Sequence, residues 1–92
     1  MRMNIGKVTA TSGLMARFSS MSGMNKLASM LTKYEGCDWG LTDKDDWVMN
    51  DQAVESKNGR VVALYKIDGE EIFIITEYTP KPLTTVMLTG EY

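Results

Sequence analysis

Two kinds of apolar spacing divide the chain near residue 59. In residues 24–34 the apolar positions recur every three or four residues, which is typical of one face of a helix. After residue 59 they follow the period of two that strands have, in three runs at residues 60–67, 71–78 and 84–89. The pattern therefore predicts helices in the first part of the chain and strands in the last third.

Two helices are predicted before residue 36. The first covers residues 14–21 and ends at Ser22 and Gly23, because glycine in a helix interior costs about 1 kcal/mol relative to alanine. The second covers residues 24–34, and Gly36 stands where a left-handed C-terminal cap is expected.

A third helix is predicted from about residue 43 to about residue 56, and the pair Asn58-Gly59 that follows is its stop signal. Thr42 is its expected N-cap, and Asp43 and Asp45 lie in the first turn, where the helix dipole favours carboxylates. Trp47 and Val54 are expected on its inward face.

The strands predict a sheet built around a hairpin. Asp68 and Gly69 suit a type I′ turn, so the runs on either side of them are antiparallel. Residues 5–11 predict a short first strand or extended segment. Both faces of the hairpin are apolar, and the first strand, the 80–83 connection or a second copy could cover the second face. The expected fold is α+β: one domain over residues 1–92, a three- to four-stranded antiparallel sheet, and two or three helices packed on one face.

The composition is that of an ordinary globular domain, and the residue types that it lacks exclude several kinds of catalytic and metal site. The 92 residues are 43% hydrophobic and 24% charged, with neither a secretory signal nor an apolar run near the roughly 18 residues of a membrane span. A cytoplasmic location without a membrane partner is expected. Histidine is absent and Cys37 is the sole cysteine, which excludes an intrachain disulfide, a histidine-containing zinc site and Ser-His or Cys-His nucleophile pairs. No phosphate-binding glycine motif occurs, so no cofactor, no metal and no enzymatic activity are expected.

The carboxylates suggest two hypotheses, a metal site and a catalytic acid–base pair, and the sequence supports both only weakly. The run from Asp43 to Asp46 resembles the start of a calcium loop, but Trp47 and Val48 occupy the next ligand and glycine places. The second reading is an acid–base pair formed by members of the set Glu70, Glu71 and Glu77. Solvated acids near a turn and at a strand edge explain that set better. The thiol of Cys37 lies between Glu35 and Asp38, which are expected to raise its pKa and keep it unreactive.

Charge is distributed unevenly although the net charge is only −2. Residues 1–33 carry five basic residues and no acid, whereas residues 35–55 carry seven acids against Lys44. The two regions could pair with each other in the folded domain, or the acidic stretch could form a face that imitates nucleic-acid phosphate. Direct nucleic-acid binding is not expected, because the basic residues are dispersed and have few aromatic neighbours.

Trp39 lies in a loop with glycine at its ends, and two interpretations of its role stay open. It could fold back over the core as a lid, or it could be an exposed interface residue, since tryptophan is enriched at such positions. On the second reading the predicted partner-binding residues are the tryptophan and its acidic neighbours: Asp38, Trp39, Asp43, Asp45, Asp46 and Asp51.

The chain resembles a family of short proteins of plasmids, integrative elements and phages, some of them loosely labelled as type I restriction enzyme subunits. The similar segments are residues 5–11 (IGKVTAT), 38–40 (DWG), 50–53 (NDQA), 60–65 (RVVALY), 72–77 (IFIITE), 84–88 (TTVML) and 91–92 (EY). Ser12 replaces the usual proline after the first strand, and Phe73 replaces a tryptophan. The resemblance implies a mobile-element protein but supplies no catalytic or binding residues.

Small size, the absent chemistry and this resemblance together predict a non-enzymatic inhibitor. Its expected partner is a host defence protein or ribonucleoprotein complex, of the CRISPR or restriction type, blocked by steric or acidic-surface contact. The alternative is a small homodimeric regulatory or structural protein of the mobile element, which would use the open sheet face or a sheet edge as its interface.

Overall fold

The computed structural model describes all 92 residues and contains three α-helices and four strands. In chain order the elements are β1 (Lys7–Ala10), α1 (Ser12–Arg17), α2 (Met21–Glu35), α3 (Lys44–Ser56), β2 (Arg60–Ile67), β3 (Glu70–Glu77), β4 (Leu83–Leu88) and a final 3₁₀ turn (Thr89–Glu91). The α+β class is confirmed. None of the helices combines the length and apolar character that crossing a bilayer requires.

The four strands form one mixed sheet in the order β1-β4-β3-β2. β2 and β3 are antiparallel and meet at Asp68 and Gly69, whose φ angles of 52° and 82° are those of the predicted type I′ turn. β4 continues the antiparallel arrangement beside β3.

The expectation of a wholly antiparallel sheet is wrong at β1, which runs parallel to β4. Parallel neighbours need a long crossover, and here all three helices and the β2–β3 hairpin separate the two strands. The amide of Thr11 donates to the carbonyl of Val86 at 3.1 Å, which fixes the register at the end of β1. β1 thus becomes the outer strand of the sheet and does not cover either face.

The break between the first two helices also differs from the prediction. α1 ends at Arg17 and α2 already begins at Met21, with the Ser20 side chain as its N-cap. Gly23 therefore lies inside α2, where a Cβ would come within 3.0 Å of the Phe18 backbone. Glycine allows the close approach of the two segments there, and it does not end a helix.

Two helix caps lie one residue away from their predicted positions. Gly36 has an ordinary φ of −83°, and the left-handed residue is Cys37 at 65°. Asp43, not Thr42, caps α3. Val54 on α3 is buried and Trp47 is partly buried against the core, as expected for its inward face.

The core fills the space between the helices and one face of the sheet. That face carries the buried side chains Val61, Ala63, Tyr65, Ile72, Ile74, Thr76, Thr84 and Val86. Two threonines within it are paired through a buried chain of hydroxyls. The Tyr34 hydroxyl bonds to Thr76 at 2.7 Å, Thr76 bonds to Thr84 at 2.6 Å, and Thr84 donates to the Ile5 carbonyl at 2.6 Å. This series of hydrogen bonds connects α2, β3, β4 and the N-terminal segment.

Candidate contact surface

Trp39 belongs to the core and offers no surface to a partner. Its side chain is 0% exposed, its ring packs edge-on against Tyr34 at 5.4 Å, and its indole Nε1 donates to Asp51 Oδ1 at 2.9 Å. The reading of Trp39 as a lid over the core is confirmed, and its assignment as a partner-binding residue is wrong. Asp51 is partly buried and serves as the acceptor for this indole.

Asp38 is exposed, but its contacts shape the loop that carries Trp39. Its side chain accepts a hydrogen bond from the Gly40 amide at 3.1 Å, and its carbonyl accepts one from the Tyr65 hydroxyl. Gly40 has a φ of 62°, and a Cβ there would lie 2.5 Å from the Tyr65 ring. These contacts hold the loop against β2 and direct the tryptophan inward.

The remaining predicted residues, Asp43, Asp45 and Asp46, lie together at the N-terminus of α3, and we name them the acidic cluster. The Asp43 side chain accepts from the amides of Asp45 at 2.9 Å and Asp46 at 3.1 Å, so it is the helix cap. Asp45 and Asp46 are exposed, and neither takes part in an ion pair. The role of the acidic cluster in partner binding stays a prediction.

The basic first third of the chain is paired mainly with acids outside the acidic stretch. Arg17 pairs with Glu70, and Lys26 pairs with Asp68 at 2.9 Å, both near the β2–β3 turn. Only Arg2 reaches the acidic stretch, at 3.9 Å from Glu35. The two regions therefore do not neutralise each other in the folded protein, and the acidic cluster takes part in no ion pair.

A loop and one helix close the outer edge of β2. The Leu41 amide donates to the Leu64 carbonyl at 2.7 Å, and the Thr42 hydroxyl accepts from the Leu64 amide at 2.9 Å. Farther along, the Asn50 side chain donates to the Val62 carbonyl at 2.8 Å and accepts from the Val62 amide at 3.2 Å. Backbone groups that would otherwise form an open strand edge are thus satisfied by residues 41–50.

The sheet face opposite the helices, which we call the open face, carries no helix. Its central rows are formed by Leu64, Phe73 and Met87 and by Val62, Ile75 and Thr85, aligned across β2, β3 and β4. On this face Ile75 is buried, at 5% exposed, and the other members of the two rows are half-buried, whereas the corresponding positions of the helix-covered face are almost all buried. β1 does not cover this face, because it extends the sheet beside β4.

Tyr92 is the one aromatic residue that reaches the open face from outside the sheet. Its ring packs edge-on against Phe73 at 5.4 Å, and its hydroxyl accepts a hydrogen bond from Arg60 at 2.6 Å. A groove of about 630 Å³ runs between Tyr92 and α3 and is lined by Met49, Val62 and Asp46 among others. The groove joins the open face to the acidic cluster, so the two form one continuous surface.

The titratable groups with shifted pKa values are all buried or partly buried. Burial raises the pKa of Tyr34, Tyr65 and Tyr78, so these phenols stay protonated at neutral pH. The pKa of Cys37 is also raised, as expected, but burial is the main cause and the next is Asp51, not Glu35 or Asp38. No group of three or more cysteine, aspartate or glutamate side chains is arranged to hold a metal ion.

Comparison with protein-family models, curated proteins and solved structures finds no match to this chain. The resemblance to mobile-element proteins therefore rests on the sequence segments alone.

Proposed function

We propose that this protein is a non-enzymatic inhibitor, carried by a mobile genetic element, that binds a host defence complex of the CRISPR or restriction type and blocks it by contact. The observation that carries the proposal is the continuous surface formed by the open face, the α3 groove and the acidic cluster. Uncovered apolar surface bordered by polar residues marks sites of protein association.

The chemistry of this surface defines the partner. Asp45 and Asp46 present unpaired carboxylates beside apolar side chains, including Met49, which is 63% exposed. A complementary partner has basic residues around an apolar patch. Defence complexes that bind nucleic acids have basic grooves for phosphate, and carboxylates can occupy such grooves in place of phosphate.

The area of the surface is consistent with a specific complex. A standard interface buries about 800 Å² on each partner. That is about one seventh of the 5647 Å² of accessible surface of this protein. One sheet face together with one flanking helix is a patch of that order.

The test is a phage-plating assay in strains that each carry one CRISPR or restriction system. Expression of the protein is expected to restore plating in one strain, and Asp46→Lys is expected to abolish the protection. Glu55→Lys is the matched control, because it makes the same charge change at an exposed position of the same helix, outside the groove. Protection should survive this control.

Thermal unfolding of both variants accompanies the assay, because Asp46 lies in the first turn of α3 and its loss weakens the helix by up to about 1 kcal/mol. Failure to protect any strain would contradict the proposal. Equal protection by the Asp46→Lys variant would show that the acidic cluster is not the contact.

The free edge of β1 favours a second candidate, a homodimeric regulatory or structural protein of the mobile element. The amide of Thr11 points to β4, so alternation along the strand turns the backbone groups of Val8 and Ala10 outward. All four residues of β1 are exposed. Sedimentation distinguishes the candidates: this one predicts a stable dimer that Val8→Pro dissociates without unfolding the chain.

A further inference from the structure

A pocket at the C-terminal end of α3, distant along the helix from the acidic cluster, is rimmed by positive charge. Its volume is about 270 Å³, and three chain segments supply its cations: Arg2 from the N-terminal segment, Lys57 from the end of α3 and Lys81 from the β3–β4 connection. No acidic residue lines it. We call it the basic pocket.

Its cations are largely without partners in the protein. Lys57 and Lys81 take part in no ion pair, and Arg2 lies 3.9 Å from Glu35 with its side chain 75% exposed. Lys57 also has a left-handed backbone with φ of 55°, which glycine adopts more readily at a helix end. A lysine at a position that suits glycine supports a role for its side chain.

The floor of the basic pocket is apolar. Met3, Val54 and Tyr78 line it and are 6%, 6% and 8% exposed. Charges at the rim of such a floor interact more strongly than in open water, because the surroundings polarise less. The floor also offers contact to an apolar group on the ligand.

We propose that the basic pocket binds a small organic phosphate. One arginine and two lysines match the several oxygens of a phosphate group, and the apolar floor accepts a compact ring or hydrocarbon body. The volume lies just below the range for small-molecule sites, about 300–1,000 Å³, which limits the body to roughly one ring.

NMR titration of the labelled chain at low ionic strength tests the proposal with phenyl phosphate, inorganic phosphate and phenol as probes. Phenyl phosphate is expected to shift the amide signals of Arg2, Lys57 and Lys81 in a saturable way at millimolar concentration or below. Inorganic phosphate should bind more weakly, and phenol should produce no saturable shift. Equal affinity for the two phosphates would refute the role of the apolar floor.

Matched lysine variants show whether binding occurs in this pocket. Lys57→Gln and Lys81→Gln are each expected to weaken phenyl phosphate binding by about two- to fivefold, the size of one partly exposed charge contact. Lys44→Gln removes an equal charge at the other end of α3 and should leave the affinity unchanged. All three positions are exposed, so the folded state should persist. No saturable binding, or equal losses in all three variants, would overturn the proposal.

Discussion

Replacement of Asn50 by leucine tests the account of the β2 edge most directly. Asn50 is 4% exposed, and its amide group forms both a donor and an acceptor bond with the Val62 backbone. Leucine has the same branched arrangement of side-chain heavy atoms but can form neither bond. The substitution therefore keeps the branched shape of the side chain and leaves one amide and one carbonyl of β2 without partners.

The expected loss of stability follows from these two bonds. Each hydrogen bond contributes about 1 kcal/mol net, and a buried group left unpaired costs about 1–3 kcal/mol. Asn50→Leu is therefore expected to lower the free energy of unfolding by about 2–4 kcal/mol. For a chain of this length each kcal/mol corresponds to about 4–8 °C, so the melting temperature should fall by about 8–32 °C.

Urea unfolding followed by circular dichroism measures this effect, and Gln52→Leu is the control. Gln52 lies on the same helix and is exposed, so its change should stay within about 0.5 kcal/mol. A loss below about 0.5 kcal/mol for Asn50→Leu would refute the edge-closing role.

Three further substitutions test the core. Trp39→Phe removes the indole bond to Asp51 and should cost about 2–3 kcal/mol in urea unfolding; no loss would contradict the buried bond. Tyr78→Phe removes a buried hydroxyl without a hydrogen-bond partner and should raise stability by about 1 kcal/mol; a loss would mean that the hydroxyl has a partner. Burial raises the pKa of Tyr34 above its ordinary value of 10.0, so its contribution is complete below pH 10 and is lost as the pH rises above it. Tyr34→Phe should flatten the decline of stability above pH 10 in a pH series of urea unfolding; an unchanged decline would exclude Tyr34 as its cause.

Local signals predicted the strands and the hairpin well. β2 occupies the predicted residues, and β3 and β4 each begin one residue earlier than predicted. The reason is that alternation and the Asp68-Gly69 turn act over a few residues and need no knowledge of the rest of the fold.

Contacts between distant segments account for the errors. The pairing of β1 with β4 joins residues more than seventy positions apart, and no local pattern distinguishes a parallel from an antiparallel neighbour. The sequence predicts a helix break at Gly23 from the low helix propensity of glycine. In the structure Gly23 lies inside α2 and allows the close approach of Phe18, a tertiary contact that the local sequence does not show. In both places contacts with distant residues determine the structure, and local sequence preference does not.

The candidate surface was predicted in part. The position of the acidic cluster followed from helix-capping rules, whereas the orientation of Trp39 depends on Tyr34 and Asp51, which the sequence does not place beside it. Asn50 was missed, although one signal was available. It lies between Trp47 and Val54 at helical spacing, and a polar residue on an inward helix face needs a hydrogen-bonding partner.

The closed edge of β2 and the open face of the sheet have a common cause. Because Asn50 of α3 must reach the backbone of Val62, the helix lies beside β2 and cannot also lie across Phe73 and Met87. The chain satisfies the polar groups of one edge and leaves the apolar rows of one face uncovered. Additional chain is therefore expected to pack on the open face or beside β1 and not along β2.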